Sequence, residues 1–90
     1  MATYLVGYDL DKPGQDYSDL LARLKKFGTR WHNLDSTWFV KTNLTHVELR
    51  DELAKYLDKN DKLLVVNVTG DAAAWRGFSK EAGQWLKDNL

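Results

Sequence analysis

The spacing of apolar residues changes between Tyr4 and Phe27, and that change limits what the chain can fold into. Tyr4, Val6 and Tyr8 alternate with Leu5, Gly7 and Asp9, the period of two that marks a strand. Tyr17, Leu20, Leu21, Leu24 and Phe27 then recur at the spacing of one helical face. Asp11-Lys12-Pro13-Gly14 is a turn between the two, and Asp16 is placed to cap the helix. Lys25 and Lys26 suit the negative end of the helix dipole, and Gly28 ends it.

The same switch of period follows a second time. Thr29 to Asn33 and Thr37 to Lys41 are rich in Thr, Trp, Phe and Val, and Leu34-Asp35-Ser36 links them, which predicts a hairpin. Thr45 and Glu48 stand at capping-box spacing, with Leu44 and Leu49 as the flanking staple. They open a second helix with Leu49, Leu53, Tyr56 and Leu57 on its buried side. Leu63 to Val68, the most apolar run, predicts a central or interface strand. The order strand, helix, strand, strand, helix, strand predicts an α+β fold. In particular it predicts a ferredoxin-like βαββαβ sandwich, an antiparallel sheet with two helices on one face. Residues 1–69 form this domain. Residues 70–90 form a tail with a helix after Ser79 that carries Ala82, Trp85 and Leu86.

Both sides of the first strand carry apolar residues, so both sides of the sheet need a cover. The helices supply one. The tail (through Trp75, Trp85 and Leu86), a second copy of the chain, or both must supply the other. A homodimer is expected for a further reason. A chain of 90 residues buries only a modest share of its surface, and no cysteine is present to staple it. No charged leader followed by an apolar run and no membrane span is read, so a cytoplasmic protein is expected. Asn43-Leu44-Thr45 and Asn67-Val68-Thr69 match a glycosylation pattern that such a protein does not use.

Charge bears on partners. The 13 basic and 13 acidic residues cancel, which argues against strong non-specific nucleic-acid binding and leaves room only for a local patch. Lys25, Lys26, Arg30 and Arg76 are either phosphate contacts or ordinary solvated charge. His32, between Trp31 and Asn33, is either a general base or stacking group, or one wet residue of a strand. Asp9 is either a ligand for a hard cation or a strand-ending carboxylate that accepts loop N–H groups. Ser36 has no matching His-Asp set, so it is not read as a nucleophile. No cluster has the spacing of a zinc site, and no glycine-rich phosphate loop is present.

Taken together, four features resemble the small CRISPR-associated endoribonuclease family, the second of the two core Cas proteins of spacer acquisition, and related toxin-type ribonucleases. The features are the strand ending Tyr8-Asp9, the Phe27-Gly28 helix end followed by Arg30, Ser36 ahead of Trp38-Phe39, and the helix carrying Leu49-Arg50-Asp51-Glu52-Leu53. The likeness runs over roughly residues 3 to 69. It implies a symmetric homodimer in which the two Asp9 carboxylates approach each other and share Mg2+ or Mn2+. It implies metal-dependent phosphodiesterase activity on RNA or DNA in antiviral defence, with Asp9 catalytic and metal-binding. Ser36 would lie near the same place; Arg30, His32 and Arg76, read from the residues themselves, are the further expected nucleic-acid contacts, and a larger protein partner is a further expectation. The other reading, of a different class, is a non-catalytic dimeric adaptor or regulator that uses the same fold as an interaction module.

Overall fold

The computed structural model describes residues 1–11 and 17–90. The elements run β1 (Ala2–Asp9), α1 (Ser18–Lys25), β2 (Thr29–Leu34), β3 (Thr37–Thr42), α2 (His46–Ala54), β4 (Lys62–Asn67) and α3 (Lys80–Asn89). The four strands form one antiparallel sheet in the order β2-β3-β1-β4. This is a small α+β fold. Each helical crossover skips a strand: β1–α1–β2 passes over β3, and β3–α2–β4 passes over β1. The expected Pro13-Gly14 turn and the Asp16 cap lie outside the described residues.

The predicted capping box of α2 is formed. Thr45 Oγ1 accepts from the Glu48 N–H at 3.1 Å, and Glu48 Oε1 accepts from the Thr45 N–H at 2.9 Å. These bonds satisfy two donors that a helix start otherwise leaves open. The alternation in β1 sends Tyr4 and Val6 to the face covered by α1 and α2. There they meet Trp38 and Val40 of β3, Leu20, Leu24 and Phe27 of the first helical segment, and Leu49 and Leu53 of α2. Each of these large apolar side chains stabilises the fold by about 1.5–3 kcal/mol when removed from water. The Tyr4 hydroxyl of this layer donates to the Leu44 carbonyl at 2.8 Å.

The other face is half covered. Trp31 of β2 is buried there beneath Ala82 and Leu86 of α3, with Phe39, Phe78 and Trp85 around it. Its indole Nε1 donates to the Ala82 carbonyl at 3.1 Å, and its ring meets Phe39 and Phe78 edge-on, with centroids 5.2 Å and 5.0 Å away. The buried Thr3 hydroxyl donates to the Asn89 carbonyl at 2.6 Å, fixing the far end of α3 to β1. Trp85 and Leu86 therefore reach the sheet layer. Trp75 instead packs on α3 itself, where a Cβ at Gly83 would stand 3.0 Å from the indole Nε1.

Beyond Thr3, the part of this face made by Leu5 and Gly7 of β1 and by β4 has no helix over it among the described residues. β4 is an edge strand, not a central one. Its Leu64 and Val66 are 60% and 40% exposed, beside the half-buried Leu5 and Gly7 of β1.

Candidate nucleic-acid site

The pairing of β2 with β3 is irregular. Trp31 pairs with Phe39 and Leu34 pairs with Thr37, so His32 and Asn33 together stand opposite Trp38. This is a β-bulge: one extra residue in one strand, which bends it and redirects a side chain. The turn that follows, Asp35-Ser36, has only two residues. Such turns ordinarily need positive φ to match strand twist. No non-glycine residue among those described has positive φ, so the bulge absorbs the mismatch.

At the bulge the His32 ring lies on Trp38, with centroids 3.9 Å apart and planes 11° from parallel. Trp38 is only 2% exposed and cannot yield. Its Nε1 donates to the Tyr8 hydroxyl at 3.2 Å, and that hydroxyl donates in turn to the Asp35 carbonyl at 3.5 Å. His32 Nε2 lies 3.2 Å from the same carbonyl oxygen. A carbonyl only accepts, so Nε2 carries the proton, and Nδ1 of the neutral ring is left as a bare acceptor. The hairpin turn thus sets both the plane and the tautomer of the imidazole.

His32 lines a groove of about 610 Å3 together with Lys25, Gly28, Thr29, Arg30, Trp38 and Trp85. Lys25 comes from the end of α1 and Arg30 from β2, two residues before His32. Arg30 donates through Nη1 to the Phe27 carbonyl at 3.1 Å, which steadies the guanidinium without neutralising it. Among the described residues no acidic side chain lines the groove. The zero net charge therefore coexists with a local cationic wall.

Asp9 ends β1 at the same pole of the sheet. It is exposed, stands opposite Lys62 in the ladder, and makes no hydrogen bond or ion pair with the described residues. Among the described residues no loop N–H group reaches its carboxylate, and Asp61 collects such donors. The Asp11 N–H donates to Asp61 Oδ1 and the Asp58 N–H to Oδ2, both at 2.8 Å. Among the described residues no second carboxylate is grouped with Asp9. It brings a single carboxylate where a hard cation wants several oxygens, and its ladder neighbour is a cation. No group of three His, Cys, Asp or Glu side chains suited to a metal exists among the described residues.

The remaining sequence candidates separate. Ser36 sits in the Asp35-Ser36 turn, and its carbonyl accepts from the Tyr8 N–H at 3.1 Å, beside the His32 network. Arg76 lies with the tail, lining a cleft of about 250 Å3 with Trp31, Phe39 and Phe78. The structure thus brings Arg30 and His32 to one groove, sets Ser36 next to it, and leaves Arg76 on the tail side. The Tyr8–Trp38–Asp35 linkage was not foreseen from sequence. No protein-family model matches the chain, and no solved structure matches it. No helix among the described residues is long and apolar enough to cross a membrane.

Proposed function

We propose that the chain is a homodimeric nucleic-acid-binding protein with a ferredoxin-like sandwich, similar in build to the small CRISPR-associated endoribonucleases. The observation that carries the binding role is the acid-free groove walled by Lys25, Arg30 and His32. Cations there neutralise phosphates and release counterions, which drives association. The two strand-skipping helical crossovers support the ferredoxin-like assignment. The uncovered apolar half of the sheet supports the dimer.

A second reading is metal-dependent phosphodiesterase activity through Asp9 with Mg2+ or Mn2+. Its support is the place of Asp9: exposed, at the margin of Leu64 and Gly7, where twofold pairing of that surface would bring two carboxylates together. Lys62 opposite Asp9 weighs against it.

Both readings meet in one set of measurements. Fluorescence anisotropy with a short labelled RNA or single-stranded DNA in EDTA is expected to show salt-sensitive binding. The double variant Lys25→Ala/Arg30→Ala should bind at least tenfold more weakly, with a salt slope smaller by roughly 1.5. Equal binding by the variant would overturn the groove assignment. Adding Mg2+ or Mn2+ tests the second reading: it stands if cleavage appears and Asp9→Asn removes it.

A further inference from the structure

The His32 groove has the parts of a reaction centre as well as a binding surface. We propose that it is a metal-independent ribonuclease site in which His32 is the general base and single-stranded RNA is the substrate. The inference rests on the reading of the groove as a nucleic-acid site.

Three observations carry it. The first is the bulge at His32 and Asn33, where the His32 ring lies stacked on Trp38, its cross-strand neighbour. Bulges gather next to reactive sites because they re-aim one side chain at the cost of local pairing. The second is the support of the ring. Trp38 backs one face, Tyr8 holds Trp38, and the Asp35 carbonyl holds Nε2–H, so the basic Nδ1 is fixed in kind and the ring in orientation. A base needs that pre-organisation, whereas a merely solvent-exposed strand histidine does not. The third is the company of Arg30 and Lys25 in a groove whose volume falls within the range of roughly 300–1,000 Å3 seen for small-molecule sites. Two cations can hold the non-bridging phosphate oxygens as charge builds on them.

RNA carries its own nucleophile, which is why these parts suffice. Nδ1 of His32 takes the proton from a 2′-hydroxyl. The 2′-oxygen then attacks the adjacent phosphorus, a new P–O2′ bond forms, and the P–O5′ bond breaks with its electron pair leaving on the 5′-oxygen. That oxygen takes a proton from solvent, and the imidazolium returns its proton to solvent. The products are a 2′,3′-cyclic phosphate and a 5′-hydroxyl, with no net change in protons or electrons and no water consumed. DNA has no 2′-hydroxyl and would be bound but not cut by this route.

The test uses the full chain in EDTA with an end-labelled single-stranded RNA, and compares wild type with a parallel preparation of His32→Gln. The glutamine amide can still donate to the Asp35 carbonyl but supplies no comparable base. Wild type should release fragments ending in 2′,3′-cyclic phosphate, and a single 2′-deoxy substitution should block cleavage at that position. His32→Gln should cleave at least 100-fold more slowly at saturating RNA, a condition under which a change in affinity does not enter the comparison. RNA that is bound but left intact in EDTA would overturn the proposal while leaving the binding reading in place. So would cleavage by His32→Gln at the wild-type rate. Cleavage that requires Mg2+ or Mn2+ and vanishes in Asp9→Asn would replace the proposal with the Asp9 mechanism. Failure of the wild type to bind RNA at all would overturn the binding reading and this one with it.

Discussion

The Asp61 carboxylate takes the Asp11 N–H at 2.8 Å and the Tyr17 hydroxyl at 2.9 Å on Oδ1, and the Asp58 N–H at 2.8 Å on Oδ2. It thereby ties the exit of β1 and the start of α1 to the turn before β4. Hydrogen bonds to a charged acceptor are each worth about 1.5–3 kcal/mol, and removing the acceptor strands its donors. Asp61→Ala is therefore expected to lower unfolding stability by about 2 kcal/mol or more in urea titrations. Asp9→Asn should stay within about 0.5 kcal/mol of wild type, as exposed substitutions do. The sequence marks Asp58 to Asp61 as a turn, but nothing local shows that one of its carboxylates reaches Asp11, 50 positions away. His32 is legible as a candidate from its aromatic neighbours. Its geometry is not, because a bulge depends on the register between two strands and leaves no trace in either strand read alone.

At the level of elements, the helices were the most legible. The α2 start follows from Thr45 and Glu48 alone, and the buried positions of α1 follow from spacing. Strand placement was less so. Of the two places expected for the Leu63–Val68 run, mid-sheet and interface, the edge position of β4 removes the first, since apolar content does not say which neighbour covers a strand. Contacts between helices were invisible. Arg23 Nε on α1 donates to Glu52 Oε1 on α2 at 2.9 Å, and Lys55 Nζ donates to Glu52 Oε2 at 2.8 Å. The Lys55 bond, followed by the Arg23 bond, holds the Glu52 carboxyl below its usual value of 4.5. A depressed carboxyl stabilises the fold above its unfolded pKa, and that contribution disappears as pH falls through the lower folded value. Wild type is therefore expected to lose stability on acidification below about pH 4.5 more steeply than Glu52→Gln, with thermal melts across the acid range as the measurement. Equal slopes would show that this bridge does not bind the two helices.

The whole molecule is lopsided. Among the described residues, one face of its sheet is sealed by two helices, while the other is sealed over β2, β3 and Thr3 and bare over Leu5, Gly7 and β4. An exposed apolar strand at an unpaired edge invites another strand or surface. In the proposed dimer that surface is a second copy. Sedimentation at micromolar concentration is expected to give about twice the chain mass of 10.4 kDa. Leu64→Lys, which sets a charge in the middle of the patch, should give the single-chain mass with the fold intact by circular dichroism. A wild type that sediments as a single chain would remove the dimer, and the Asp9 reading would go with it.

The bond from Thr3 to Asn89 joins residues 86 positions apart, and α3 is the segment that shields Trp31 and Phe39. On the ribosome, all four strands emerge before that helix does. Until Leu86 has left the exit tunnel, the aromatic half of the sheet is as wet as the half that stays bare in the finished fold. Adhesiveness during synthesis therefore peaks just before the last helix docks, and a chaperone that shelters nascent chains has its greatest effect in that interval.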